Sequence, residues 1–251
     1  MKTIYRLGVM MFAVVALLML SMPVQASKMD NSIESSAKKS YVFQTYLKAD
    51  DIKVKSEDGV VSLTGTVSEE SHKSLAQETV ADIPGVKSVN NMLEVKGESP
   101  AEMSDAWITA KVKTIFLFHR NVSAMTEVNT TNGIVTLQGK ATSQAQKDLT
   151  TEYAKDVEGV KDVKNEMTIA KASKKTQTVS RKVDDASITA LVKMTLLYHR
   201  STSALNTSVK TTHGVVTLSG KAKSGAEMDL AAKFANDVNG VKSVNNKMTI
   251  E

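Results

Sequence analysis

The chain has 251 residues, no cysteine, a formal net charge of +5 and only 4% aromatic residues. Without cysteine, a disulfide framework and a lipidated N-terminal cysteine are both excluded. So few aromatics imply small, mostly aliphatic cores, and they speak against the basic, aromatic-interleaved face that nucleic acid requires.

In chain order, Lys2 and Arg6 precede an apolar run from Leu7 to Leu20, followed by Met22-Pro23-Val24-Gln25-Ala26. This pattern predicts a secretory signal over residues 1–26, cleaved after Ala26. The apolar run is shorter than the ~20 residues a spanning helix needs, so a soluble, exported chain is expected.

Two blocks then recur at offsets of 74 and 81 residues. The first is Asp58 to Gly65, Asn132 to Gly139 and His213 to Gly220; the second is Pro84 to Asn91, Glu158 to Asn165 and Asn239 to Asn246. Two blocks with the same spacings identify a triplicated unit. Within each unit, Asp-Gly or Asn-Gly predicts a tight hairpin turn. Val61 and Leu63, with Val135 and Leu137 and with Val216 and Leu218, alternate with polar residues as the buried face of a strand. Ile52 and Val54, Val128 and Val209 mark the strand before the turn. Ser143 to Gln146 and Ser224 to Glu227 match a capping box that opens a helix, and Gly159 or Gly240 ends it. The next strand is expected to bury Val163, Asn165, Met167 and Ile169, matched by Val244, Asn246, Met248 and Ile250. A further helix precedes each hairpin, clearest over Ser104 to His119 and Asp184 to His199. Ile108, Val112 and Ile115 are matched there by Ile188, Val192 and Thr195 on one face.

The predicted fold class is α+β: three tandem α-β-β-α-β repeats, each with two helices on a three-stranded mixed sheet. Boundaries are set at 29–97, 103–171 and 183–251, with a polar, basic linker over 172–182.

This order, with the Gly-Val/Ile-Val-Ser/Thr-Leu-x-Gly strand and the Gly-Val-Lys-x-Val strand entry present three times, resembles the BON domain, a small bacterial envelope module. The resemblance implies a periplasmic protein linked to osmotic or envelope stress. It also implies binding to phospholipid surfaces or other envelope components, and no catalysis.

Chemistry-bearing candidates are sparse. Gly133 to Lys140 superficially matches a phosphate-binding loop, but five residues separate the glycines, Ala141 follows the lysine, and the segment alternates like a strand. His119 and His199 are equivalent, but no partner at metal-ligand or catalytic spacing accompanies either. They read as structural residues at helix C-termini, where the dipole favours a cation. No nucleophile, paired carboxylates, cofactor site or metal site is predicted.

Two features suggest binding instead. Leu117 and Leu197 fall opposite the inner helical face, with Val42 in the matching place and Phe43, Phe118 and Tyr198 beside them. Outward apolar residues there suit a bilayer interface or a partner, and packing between repeats explains them equally well. Trp107 is a candidate interfacial anchor, or a staple at the helix entry. Charge is the second feature. Residues 28–97 hold 9 basic and 11 acidic side chains, residues 98–171 hold 9 and 10, and residues 172–251 hold 12 and 6. Lys174, Lys175, Arg181, Lys182 and Arg200 therefore lie on the one repeat that attracts an anionic surface by net charge. The expected partner is a membrane phospholipid surface, or alternatively other envelope proteins held by a chaperone or scaffold. The oligomeric state is left open.

Overall fold

A computed structural model describes residues 27–122, 125–170, 182–202 and 206–251. The predicted signal segment and most of the basic linker lie outside these residues.

The three repeats follow the predicted order. The first comprises α1 (residues 27–39), α2 (Tyr41–Thr45), β1 (Asp51–Glu57), β2 (Val60–Val67), α3 (Glu70–Ala81) and β3 (Ser88–Val95). The second comprises α4 (Asp105–Phe118), β4 (Glu127–Thr131), β5 (Ile134–Gln138), β6 (Lys140–Ala141), α5 (Gln144–Lys155), β7 (Asp162–Asn165) and β8 (Thr168–Ile169). The third comprises α6 (Asp185–Tyr198), β9 (Thr207–Thr212), β10 (Val215–Ala222), α7 (Gly225–Asn236), β11 (Ser243–Asn246) and β12 (Thr249–Ile250). In every repeat the middle strand pairs antiparallel with the strand before it and parallel with the strand after the helix. The sheets are thus mixed, as predicted, and one face of each is covered by helices.

Turn chemistry recurs three times. Both turn residues take positive φ, at 51° and 81° for Asp58 and Gly59, 54° and 79° for Asn132 and Gly133, and 52° and 82° for His213 and Gly214. That is the backbone of a hairpin turn matched to strand twist. A carboxylate from the first helix closes each turn: Asp30, Asp105 and Asp185 accept both turn amides at 2.6 to 2.9 Å. The Ser56 hydroxyl and the Gly59 amide hold the Asp30 carboxyl below its usual range. At the other end of the hairpin, a Cβ on Gly220 would sit 1.9 Å from the Asn206 carbonyl oxygen, so only glycine fits.

The helix entries cap as predicted, one residue displaced. Ser143 and Ser224 accept the amides of Gln146 and Glu227, whose side chains reach back to the amides of Thr142 and Lys223. Asn91, Asn165 and Asn246 do the same job in each repeat. Their side-chain amides donate to the Lys73, Lys147 and Met228 carbonyls, and their oxygens accept the backbone two residues on. They clamp the last strand to the second helix. In repeats 2 and 3 that strand breaks after the asparagine, and Ile169 and Ile250, expected to be buried, are exposed.

Repeat 1 departs from the others at Ser40, which ends α1 and caps α2 through its hydroxyl. Val42 is thereby turned inward and fully buried, not outward as its alignment with Leu117 suggests.

One helix organises the whole. Along α6, residues 187–192, 194–196 and 198 are all buried, whereas α4 hides one face. Leu191 and Met194 occupy places that hold Lys111 and Thr114 in α4. Repeat 1 packs on α6: the Tyr41 and Val42 amides donate to Asp184 and Ser187, and Lys193 pairs with Glu78 at 3.0 Å and Asp82 at 3.2 Å. Leu191→Ala should therefore cost about 2–5 kcal/mol, the range for a large-to-small change in a tight core. Urea denaturation should show repeats 1 and 3 losing structure in one transition.

Candidate binding surface and inter-repeat junction

With helices over one sheet face and further repeats over much of the helices, the open sheet faces are the broadest surfaces left. Strand register fixes what each presents. In repeat 1 the open face carries Asp51, Lys53, Lys55, Glu57 and Glu94; in repeat 2 it carries Glu127, Lys140, Asp162, Lys164 and Glu166. In repeat 3 it carries Lys210, Lys221 and Lys247 among Ser208, Thr217, Ser219, Ser243 and Asn245, and its one carboxylate side chain, Glu251, follows Thr249 at the end of the last strand. All three lysines are exposed, and none makes an ion pair with the described residues. Four of the six acids of this repeat are engaged elsewhere: Asp184 and Asp185 on backbone amides, Glu227 on its cap, Asp237 in the junction described below; Asp229 is exposed on α7 and Glu251 at the end of the last strand.

The residues singled out from sequence separate into groups. Leu117 and Leu197 are 40% and 51% exposed. Phe118 and Tyr198, read as outward, are buried: Phe118 meets Tyr46 edge to face at 5.6 Å, and Tyr198 faces Lys111. Their neighbours on the helix point out because the helix turns by ~100° per residue, so one of each pair must face the packed side. Trp107 is half-buried beneath the Lys111 ammonium, 4.1 Å from its ring centroid, and the same ammonium lies 4.5 Å from the Tyr198 ring. Trp107 thus stacks under Lys111 within α4, and it is the Lys111–Tyr198 contact that joins repeats 2 and 3. Arg200 is half-exposed and lies 3.7 Å from Asp156. Lys182 is exposed; Lys174, Lys175 and Arg181 lie outside the described residues.

The two histidines meet. α4 and α6 each end with their histidine in extended backbone, and each chain then pairs antiparallel with the segment after the other repeat's second helix, His119 with Val238 and His199 with Val157. The result is a pseudo-two-fold junction. At its centre the two Nε2 atoms are 3.3 Å apart. Behind each ring stands the partner repeat's carboxylate: His119 Nδ1 is 3.2 Å from Asp237 Oδ2, and His199 Nδ1 is 3.0 Å from Asp156 Oδ2. His119 stacks against Tyr153 with centroids 4.1 Å apart, and His199 on Phe234 at 3.9 Å. The Tyr153 hydroxyl donates to Asp237 Oδ2 at 2.9 Å, Asn121 donates to Oδ1, and Ser201 donates to Asp156. Arg120 caps the C-terminus of α7, donating from one nitrogen to the Asn236, Val238 and Val241 carbonyls. Burial holds His119 below the ordinary imidazole range, with the His199 charge adding to it and Asp237 opposing. No cluster of three or more His, Cys, Asp or Glu able to hold a metal occurs among the described residues.

The model of the BON domain matches residues 29–97, 104–171 and 184–251. The osmotically-inducible protein Y of Escherichia coli (strain K12) is 39% identical over 147 residues, 58% of this chain and 72% of the relative. An uncharacterised protein from the gshII 5′ region of Anaplasma centrale is 30% identical over 142 residues, 57% of this chain and 91% of its own. Among solved structures, CdsD, a structural protein of the type III secretion system of Chlamydia trachomatis, aligns over 84% of this chain and 90% of its own at 15% identity and a TM-score of 0.24.

Arg120→Ala removes charged hydrogen bonds to three carbonyls at the junction. Each such bond is worth about 1.5–3 kcal/mol at most, and shared donors give less than the sum. We expect a loss of stability of about 2 kcal/mol, read as a lower urea midpoint for repeats 2 and 3.

Proposed function

This chain belongs to the BON-domain family, and from that premise we propose an exported, periplasmic, non-enzymatic protein of the osmotic or envelope stress response that binds anionic phospholipid surfaces. The observation that carries the surface reading is the open sheet face of repeat 3, with Lys210, Lys221 and Lys247 and a single carboxylate side chain, Glu251, at the end of its last strand. The equivalent faces of repeats 1 and 2 alternate both signs, and mixed charge at that density cancels beyond a Debye length of ~8–10 Å. The osmotic link rests on the likeness to the osmotically-inducible protein Y. Export rests on the Lys2/Arg6, apolar and Ala26 pattern of the first 26 residues. No helix among the described residues is long and apolar enough to cross a membrane, so contact is read as peripheral. Exposed Leu117 and Leu197 supply apolar contact at the helix ends.

Removing repeat 3 is a poor test, because it also removes α6, on which the other repeats pack. Point substitutions keep the fold. A basic residue near an anionic bilayer contributes ~1 kcal/mol, so three contribute about 3 kcal/mol, or about a hundredfold in partitioning. The triple variant Lys210→Glu, Lys221→Glu, Lys247→Glu should lose at least that much binding to vesicles containing anionic lipid at low salt. Lys53→Glu with Lys164→Glu should change it far less. Flotation that is absent for the unaltered protein, or insensitive to the triple change, would displace this reading in favour of the capture of other envelope proteins.

A further inference from the structure

We propose that His119 and His199 form an acid-sensitive latch between repeats 2 and 3, closed while the pair carries at most three ring protons and released by the fourth. The count follows from the geometry. Each Nδ1 faces a carboxylate, Asp237 or Asp156, which only accepts hydrogen bonds. The Nε2 atoms face each other at 3.3 Å, so one must donate and the other accept. A proton on His199 Nδ1 is bonded to Asp156, a proton on His119 Nδ1 faces Asp237 at ion-pair distance outside hydrogen-bond geometry, and one shared Nε2 proton joins the rings. A fourth proton makes both Nε2 atoms donors aimed at one another, on side chains 0% exposed to solvent. Neither water nor another acceptor can relieve that contact without separation of the rings.

The charged and titratable groups around the pair do not relieve the meeting of two Nε2 donors. Asp156 already accepts the Ser201 hydroxyl and faces Arg200 at 3.7 Å. Asp237 already accepts Tyr153 and Asn121. Arg120 directs its guanidinium to carbonyls at and just beyond the end of α7 and adds positive charge on that side. Glu152, Lys155 and Lys233 line the groove outside the junction, where the lysines outnumber the glutamate. Burial of Tyr153 pushes its hydroxyl above its ordinary range, so it stays protonated throughout.

The sign follows directly. A histidine whose folded value lies below its unfolded one contributes stability that is complete above about 6.5 and lost as pH falls through that value. Repeat 1 shares no part of the pair. Gln44 stands where the histidines stand, and its contacts with α6 run through Asp184, Ser187 and Lys193. Acid should therefore open the junction between repeats 2 and 3 while repeats 1 and 3 stay together; the Tyr46 contacts with Leu117 and Phe118 still tie repeat 1 to the end of α4 and limit how far repeat 2 moves.

The absence of cysteine makes this directly measurable. Spin labels on Lys164→Cys and Lys223→Cys report the distance between repeats 2 and 3; labels on Lys53→Cys and Lys223→Cys report repeats 1 and 3. From about pH 8 to about pH 5 the first distance should lengthen and the second should hold, with far-UV circular dichroism unchanged. In a His119→Gln background, which cannot take the fourth ring proton, the first distance should stay fixed. A distance that does not move in the unaltered chain, or moves equally with His119→Gln, overturns the latch. If His119→Gln fails to fold, ring-resolved NMR titration of the unaltered chain decides. Uptake of the fourth proton must coincide with the change in distance, and full protonation of both rings without separation refutes the proposal.

Discussion

The near-complete burial of α6, where only Lys193 and Leu197 of residues 187–198 reach solvent, is the constraint from which the remaining architecture follows. The equivalent helix α4 leaves Lys111, Lys113 and Leu117 at least partly exposed. Leu191 and Met194 in place of Lys111 and Thr114 widen the apolar surface of α6 beyond one stripe, and that added surface must be enclosed. Repeats 1 and 2 provide the enclosure. The three units therefore form one packed body rather than beads on a linker, and the basic stretch over 172–182 joins repeats that touch extensively.

Enclosure by two neighbours has unequal consequences. On the repeat 1 side the contacts are an ion pair of Lys193 with two carboxylates and backbone caps, which are indifferent to pH near neutrality. On the repeat 2 side the chain places two imidazoles ring to ring, with centroids 5.5 Å apart. At an effective dielectric of about 20, two full charges at that distance repel by about 3 kcal/mol, which the carboxylates at 3.0 and 3.2 Å offset. What they do not relieve is the meeting of two Nε2 donors with no acceptor between them, a lost buried hydrogen bond at the centre of the junction. The two sides of α6 thus differ in kind: one is a permanent seam and the other a titratable one.

Much of this was legible from the residues. Hairpin turns, caps, the buried alternation of the middle strand and the helix-strand order are local, and each is written by a few adjacent side chains. The inward turn of Val42 was not, because it depends on Ser40 ending a helix that continues in the other two repeats. The interior places of Phe118 and Tyr198 were missed for a related reason. Helical phase shows which residues oppose one face, but not that a second face is also covered. The signal for that was present in the exchange of Lys111 for Leu191 between equivalent helices. The histidines were seen as equivalents and read singly, whereas their meaning lies in a pseudo-two-fold that brings position 119 against position 199. The carboxylates behind them, Asp156 and Asp237, stand at equivalent C-caps, so each repeat supplies the imidazole of one half and the carboxylate of the other. No spacing within one repeat encodes that exchange.

The same geometry decides where a ligand surface can be. Packing around α6 and the junction take up the inner helical faces and the ends of α4 and α6, which leaves the open sheet faces, the two exposed leucines and the polar outer sides of helices such as α5. Charge on a sheet face is set by alternate residues on three strands, so a face loses its carboxylates only if every strand omits them at the outward positions. Repeat 3 does this up to the terminal Glu251 while keeping acids at Asp184, Asp185 and Asp237, where backbone amides or ring nitrogens need them. The segregation separates two duties within one repeat: these three acids assemble the body, and the face lysines remain for whatever the body meets. A surface built this way keeps its charge whether or not the junction to repeat 2 is shut, because none of Lys210, Lys221 and Lys247 takes part in it. Opening of the junction would add the side chains of Tyr153 and Phe234 to a molecule that already carries a basic face, and so would change what kind of surface it can grip without changing where it is first drawn.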